Sequence, residues 1–347
     1  MIRTMRVSAL MAVYNAPQKF LREAIDSILR QTFTDFEFII LDDASAPAAE
    51  TERIVRQCSD SRIVFYKNDL NLGVAASYNR LIGLAQGEYL AIMNHDDIAF
   101  PRRFEKQVAF MDAHPSVGIC GTGFKRFGNF LKRKTIIYPE SDAEIRALMI
   151  FKCPMHHPST LIRRSVLMDN HIRYDERFIS LNDRKIFFDI AQKAELHNLP
   201  DVLMNYRLHR GMTTRQISHV IKQEQKLFRE DLFGYMGVPF NAEEIHVIDE
   251  YLTCGRKPIN NIIVLQRMEG VLVQLMEANK RIRFAEQEGF NKVLKRYFLR
   301  RCLNAALRGW VSSRELIEYS PLKINKSEQP LMVWLLNRFF RTRELVK

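Results

Sequence analysis

Apolar residues along this chain fall into two kinds of pattern. Short unbroken runs occupy residues 7–13 (VSALMAV), 36–41 (FEFIIL), 63–66 and 89–93. Runs of that length, bounded by polar turns, predict strands buried on both faces. Between them the apolar positions recur every three or four residues. Residues 19–30 place Phe20, Leu21, Ala24, Ile25, Ile28 and Leu29 in helical spacing, and residues 74–85 and 104–111 follow suit. Pro101 stands near the first turn of the last of these, where its missing N–H costs nothing. Strands alternating with helices of about 12 residues predict parallel βαβ units and a doubly wound, mostly parallel α/β sheet.

The pattern changes near residue 215. Strand signals fade, and helical periodicity covers residues 220–235, 242–251, 261–278, 285–307 and 330–344, with 255–258 as a joint. The expected organisation is an α/β domain over 1–215, itself divided near residue 100, followed by a helical region over 216–347.

Composition adds exclusions. The 347 residues are 47% hydrophobic and 27% charged, which is ordinary for a globular chain and excludes wholesale disorder. The densest apolar run, residues 331–336, is far short of the roughly 20 needed to span a bilayer. The opening MIRTMRVSALMAVYNA lacks a cleavage site and reads as a buried strand, not a signal peptide. The five cysteines (Cys58, Cys120, Cys153, Cys254, Cys302) are scattered, with no pair at CxxC spacing, as expected of free thiols in a reducing cytosol.

Charge is informative through its location. The net charge is +12, yet residues 256–347 hold 19 Lys and Arg against 8 Glu, leaving 33 basic against 32 acidic groups in the first 255. A basic last quarter attracts polyanions, either nucleic acid or an anionic membrane surface.

In a doubly wound sheet the ligand crevice lies beyond the carboxyl ends of the strands. Three polar clusters stand there: Tyr14-Asn15, Asp42-Asp43, and Asn94-His95-Asp96-Asp97. A single cluster could be turn chemistry, since turns favour Asp and Asn. Three in register point to one pocket. No GxGxxG follows the first strand and no GxxxxGK occurs, which argues against a dinucleotide enzyme or a P-loop ATPase. The glycine-rich stretch 118–123 has the wrong spacing. Asp96-Asp97 offers hard oxygen ligands to a divalent ion that could bridge a nucleotide's phosphates. The competing account of Asp97 is a helix N-cap ahead of Pro101.

These segments carry a resemblance. VSALMAVYNA, then AIDSILRQTFTDFEFIILDDAS (24–45), NLGVAASYNRLIGLAQGEYLAIMNHDDIAFPRRFEKQ (71–107), HPSTLIRRSVL (157–167), YDERF (174–178) and LPDVLMNYRLH (199–209) occur in the order and spacing of family 2 glycosyltransferases. The sequence resembles that family, whose fold is GT-A. The resemblance implies a nucleotide-binding half over 1–100, an acceptor half over 101–215, and a Mn²⁺ or Mg²⁺ cofactor. It implies that Asp42 contacts the nucleotide base beside Val13, Tyr14 and Asn15. Asn71, Asn79, Asn94, His95, Asp97 and His157 complete the implied nucleotide-sugar site. Asp96 matches the second acid of the DxD motif and would bind the metal, with His209 as a further ligand. Asp183, in LNDRKIFFDI (181–190), matches the catalytic carboxylate. A helix N-cap is its alternative role, and the two are compatible.

Two departures stand out. The first acid of DxD is Asn94, which offers a carbonyl oxygen but no charge. The usual Glu-Asp pair is Asn182-Asp183, which keeps the base and removes a like charge beside it. They keep open a second reading, a catalytically weak glycan-binding or scaffold protein. The implied activity is single displacement with inversion. A sugar passes from a nucleotide-diphosphate sugar, of UDP type by the resemblance, to a glycan or lipid-linked saccharide in cell-surface polysaccharide synthesis.

Other residues have plainer readings. Adjacent histidines point apart in extended chain, so His157 is expected in the pocket wall and not as a paired ligand with His156. Met149, Met155 and Met168 are expected to fill core. Residues 290–308 and 330–343 combine apolar, aromatic and basic positions, as in an interfacial membrane anchor. The alternative is that these apolar faces pack on the rest of the chain or on a second copy in a homo-oligomer. Nucleic acid is not expected as a partner, since no recognition motif accompanies the charge. The expected place is the cytoplasm, peripheral at the inner face of the cytoplasmic membrane.

Overall fold

The structure is a computed structural model that describes residues 5–46, 48–128, 134–209, 218–253, 257–259 and 261–308. It divides into two compact units, one of residues 1–145 and 153–229, the other of 146–152 and 230–347.

The first unit is built on one mixed sheet. Its leading strands are β1 (Val7–Val13), β2 (Phe36–Asp42), β3 (Ile63–Lys67) and β4 (Tyr89–Asn94). They are joined through α1 (Gln18–Leu29), α2 (Ala48–Arg56) and α3 (Val74–Leu84). All pair in parallel in the order β3-β2-β1-β4. The runs lack polar alternation because β1 and β2 are covered on both faces; every residue of β2 is buried. α1 buries Leu21, Ala24, Ile25 and Ile28, the stripe that its spacing predicts.

Beyond β4 the sheet turns mixed. β5 (Ile98–Ala99), α4 (Arg103–Ala113), β6 (Val117–Phe127) and β7 (Thr135–Ile136) come first. There follow α5 (Asp142–Met149), β8 (Leu161–Arg163), α6 (Arg164–Asp169), α7 (Asn182–Ala191) and β9 (Glu195–Arg207). The order continues β4-β8-β6-β9-β5, with β8 antiparallel to both neighbours and β6 parallel to β9. The glycine-rich stretch is the middle of β6. A Cβ at Gly121 would lie 2.3 Å from Asn198 Oδ1 on β9, so the close approach of these strands requires glycine there. Arg103, fully buried under β4, donates to the carbonyls of Ile92 and Thr160 at 3.0 Å each, and burial lowers its pKa to about 9. Met149 and Met155 are buried as expected, whereas Met168 is 45% exposed.

α8 (Ser218–Met236) contains the division between the units. The second unit is helical in its described residues. α9 (Ala242–His246), opened by the Asn241 capping box, runs into a π-helical turn at Val247–Thr253. α10 (Ile262–Ile282), capped by Asn261, and α11 (Gln287–Leu307) follow. The apolar face of α11 does not await a bilayer. Phe290, Leu294 and Phe298 are buried, and Tyr297 stacks on Phe151 at 4.3 Å. This corrects the anchor expectation for 290–308: the basic residues surround a face already packed within the unit. Residues 330–343 lie outside the described residues. Among the described residues no helix is long and apolar enough to cross a membrane.

Candidate active site

The strand order reverses at β1, with β2 on one side and β4 on the other, so their carboxyl ends open one crevice. Val13 is buried, and its carbonyl accepts the Asp43 N–H at 2.8 Å. Tyr14 is 49% exposed. Asn15 has φ 48°, a left-handed conformation that Asn tolerates better than most residues. Its N–H donates to Ser45 Oγ at 2.9 Å, and Ser45 Oγ in turn donates to Asp42 Oδ1. The other carboxylate oxygen, Asp42 Oδ2, is buried with no hydrogen-bond partner among the described residues. A buried bare acceptor is costly, and it suits an N–H donor on a planar ligand.

Asp43 does different work. Oδ1 accepts from Asn68 Nδ2 (2.6 Å) and the Leu72 N–H (2.9 Å), and Oδ2 from the Gly73 N–H (2.9 Å). Asn71 donates to the Asp43 carbonyl at 3.2 Å. The pair thus fixes the loop before α3.

The turn after β4 carries the second cluster. Asp96 Oδ2 lies 3.0 Å from His209 Nε2. Asp97 is fully buried, and its Oδ1 accepts the Arg207 N–H at 3.0 Å. Burial and the adjacent Asp96 charge push the Asp97 pKa well above the carboxylate range. Asn94 reaches Asp97 Oδ2 only at a long 3.5 Å. His95 stands half-buried in the same turn. The N-cap of α4 is Arg102, so the capping account of Asp97 does not hold. Arg207 donates to the Asp96 carbonyl at 2.8 Å and its guanidinium lies 4.2 Å from the Phe20 ring centroid.

Asp183 forms the third point. The N-cap of α7 is Leu181, so Asp183 sits in the first turn and not at the cap. Its Oδ1 accepts the Arg184 N–H at 2.6 Å, and its Oδ2 accepts from Cys153 Sγ at 3.3 Å. Burial raises its pKa, against the Cys153 hydrogen bond and the Arg184 charge. Tyr206 links the clusters. Its pKa rises to about 12 through burial and the charges of Asp97 and Asp96, with Asp183 adding to them. That phenol therefore feels both the β4 turn and the start of α7.

Asn79 and His157 are engaged with Tyr174. Asn79 brackets its backbone, donating to the carbonyl (2.9 Å) and accepting from the N–H (2.8 Å). His157 Nε2 lies 2.7 Å from the Tyr174 hydroxyl, and burial lowers its pKa to about 3. His156 turns elsewhere and stacks on Phe124 at 4.1 Å. The sequence reading placed Asp43 in a strand-end cluster without giving it a role, and it missed Cys153 and Tyr206 as site residues. Tyr206 and Arg207 lie inside the NYRLH segment, where their position at the end of a strand was the available signal.

Asp96 and His209 are the residues fit to hold a divalent ion. Their donor atoms, a carboxylate oxygen and an imidazole nitrogen, lie 3.0 Å apart and would both be free to turn to an ion. Among the described residues no group of three His, Cys, Asp or Glu side chains could hold a metal.

The chain matches Glycosyl transferase family 2 over residues 8–170. An uncharacterized glycosyltransferase of Methanocaldococcus jannaschii is 35% identical over 209 residues, covering 58% of this chain and 70% of the relative. The amylovoran biosynthesis glycosyltransferase AmsE of Erwinia amylovora is 26% identical over 231 residues, 64% of this chain and 84% of its own. Among solved structures, S. aureus TarS 1-349 in complex with UDP-GlcNAc superposes with a TM-score of 0.54 at 17% identity, covering 96% of this chain and 80% of TarS. At that identity the likeness is one of fold, the GT-A arrangement. This chain belongs to glycosyltransferase family 2 and is a glycosyltransferase.

Proposed function

We propose that the chain transfers a sugar, with inversion, from a UDP-sugar to a hydroxyl of a glycan or lipid-linked saccharide in cell-surface polysaccharide synthesis. The observation that carries this reading is the Asp183 carboxylate, held in the first turn of α7 with its Oδ1 on the Arg184 N–H and raised in pKa by burial. A base of raised pKa takes a proton more readily than an ordinary carboxylate. The names of the relatives support the polysaccharide setting, and the TarS complex supports a UDP-sugar.

Asp42 Oδ2 accepts an N–H of the base, and Tyr14 and Asn15 flank it. Asp183 Oδ2 takes the proton of the acceptor hydroxyl. That oxygen attacks the anomeric carbon from the face opposite the diphosphate, and the bond from carbon to phosphate oxygen breaks. Held by Asp96 and His209, Mn²⁺ or Mg²⁺ supplies positive charge to the diphosphate. Asp97, held by the Arg207 N–H, keeps the turn in place. The same reading puts the chain in the cytoplasm beside an anionic membrane. Its attachment is by the charges of the last quarter, not by the packed face of α11.

A thermal-shift screen of UDP- and GDP-sugars, with Mn²⁺, Mg²⁺ or chelator, tests the assignment. A donor that binds the native state raises the melting temperature by mass action. The expected result is a shift with UDP-sugars that chelator reduces. No shift with any nucleotide sugar, with or without metal, would sink the reading and favour a scaffold that retains the fold.

A further inference from the structure

The mechanism above leaves one deeply buried carboxylate unused. Glu224, in the second turn of α8, is 2% exposed. It accepts hydrogen bonds from three successive backbone N–H groups: Ile179 at 2.6 Å, Ser180 at 2.9 Å and Leu181 at 2.8 Å. Ile179 reaches Oε1 while Ser180 and Leu181 reach Oε2, and Ser180 also touches Oε1 at 3.2 Å. Successive N–H groups converging on one carboxylate form a nest. Hydrogen bonds to a carboxylate are among the stronger kind, and burial keeps water from competing.

These N–H groups belong to the turn that ends at Leu181, the N-cap of α7. Asp183 follows two residues later, in the first turn, so the place where α7 starts sets where its carboxylate lies. Asn182 Nδ2 secures the same turn by donating to the Ile179 carbonyl at 3.0 Å. One turn along α8 from Glu224, Phe228 is fully buried, with the Arg184 guanidinium 4.2 Å from its ring centroid and Phe188 edge-on at 5.9 Å. Packing therefore holds the two helices together, while Glu224 sets the path of the chain into α7.

We infer that Glu224 is a positioning residue for the catalytic base: its carboxylate holds the 179–181 turn so that Asp183 faces the acceptor hydroxyl. The inference rests on the assignment of Asp183 as base. Small displacements of a catalytic group are costly, on the order of 10²-fold for about 1 Å. Loss of the nest should lower turnover without touching the nucleotide end of the crevice.

The test uses the full chain with UDP-N-acetylglucosamine and Mn²⁺, following UDP release by hydrolysis, with UDP affinity measured by calorimetry. Glu224→Ala should lower kcat about 10–100-fold, with KM and UDP affinity within twofold of wild type. Glu224→Gln keeps one acceptor oxygen and should recover part of the loss. If Glu224→Ala does not fold, Glu224→Gln carries the test by the same split. Asp183→Asn is run beside them. If Asp183→Asn hydrolyses at the wild-type rate, the base assignment fails and takes the inference with it. If Asp183→Asn is inactive while the folded Glu224 variant keeps its kcat, or loses kcat and affinity in proportion, the positioning role alone is overturned.

Discussion

Asp96 Oδ2 and His209 Nε2 meet at 3.0 Å across 113 residues of sequence, tying the turn after β4 to the segment after β9. In the proposed site Asp96 and His209, the latter two residues beyond β9, are the two groups that would hold the divalent ion. Asp96→Ala and His209→Ala should each weaken Mn²⁺-dependent binding of UDP by about 10–100-fold, the scale of losses at metal sites. Binding of UDP in chelator should change little. Calorimetry with and without Mn²⁺ checks this, and an unchanged metal dependence in His209→Ala would remove His209 from the site.

The Cys153 sulfur lies 3.3 Å from Asp183 Oδ2 and 3.3 Å from the Met155 carbonyl, so its single S–H is shared between the two acceptors. A donor to the ionised form favours that form, so this bond opposes the rise that burial imposes on Asp183. Cys153→Ala should raise the Asp183 pKa further. A base works only when unprotonated, so the acid limb of the rate profile should move to higher pH. Cys153→Ser, which keeps a donor, should leave the limb near its wild-type position. Profiles of UDP release against pH for the three proteins decide it, and coincident limbs would contradict the account.

Two buried histidines should govern acid stability. Burial lowers the pKa of His156 and of His157 to about 3, below the ordinary value of 6.5. The unfolded chain therefore takes up protons that the folded chain refuses. Stability is fully present above pH 6.5 and is lost as pH falls from there toward 3. With two such groups the unfolded chain binds up to two more protons than the folded chain in that window, so stability falls steeply as pH drops there. His156 Nε2 is buried without a hydrogen-bond partner among the described residues, and its ring stacks on Phe124. His156→Phe should melt no lower than wild type at pH 7 and should lose stability less steeply below pH 6.5. Denaturant titrations at pH 7, 6 and 5 measure the slope; an equal slope in the variant would contradict it.

What the sequence made legible follows from how each part is buried. β1, β2 and β4 read clearly because parallel strands covered on both faces are largely apolar runs, and β3, at the sheet edge, read from its short apolar run although none of its residues is buried. β6 did not, because Gly118, Gly121 and Gly123 weaken any strand signal, Gly121 being required by the close approach to Asn198 of β9. α2 escaped notice because its apolar content is slight: Ile54 and Val55 are its buried apolar side chains. The positions of Asp42 and Asp96 followed from the rule that strand ends carry the ligand. Asp43, Cys153 and Glu224 act through partners distant in sequence: Asn68, Asp183 and the 179–181 turn, respectively. No local pattern reveals such contacts. Amphipathy marked the face of α11, but periodicity alone cannot say whether lipid or protein covers it.

The central claim is that Asp183 removes the proton of the attacking hydroxyl. Water can stand in for the acceptor, so UDP release from UDP-N-acetylglucosamine in Mn²⁺ reads the step directly. Asp183→Asn, measured at saturating donor, should fall by about 10²–10⁴-fold, the usual cost of losing a general base, while its affinity for UDP stays within twofold of wild type. A rate within threefold of wild type at the same affinity would contradict the account.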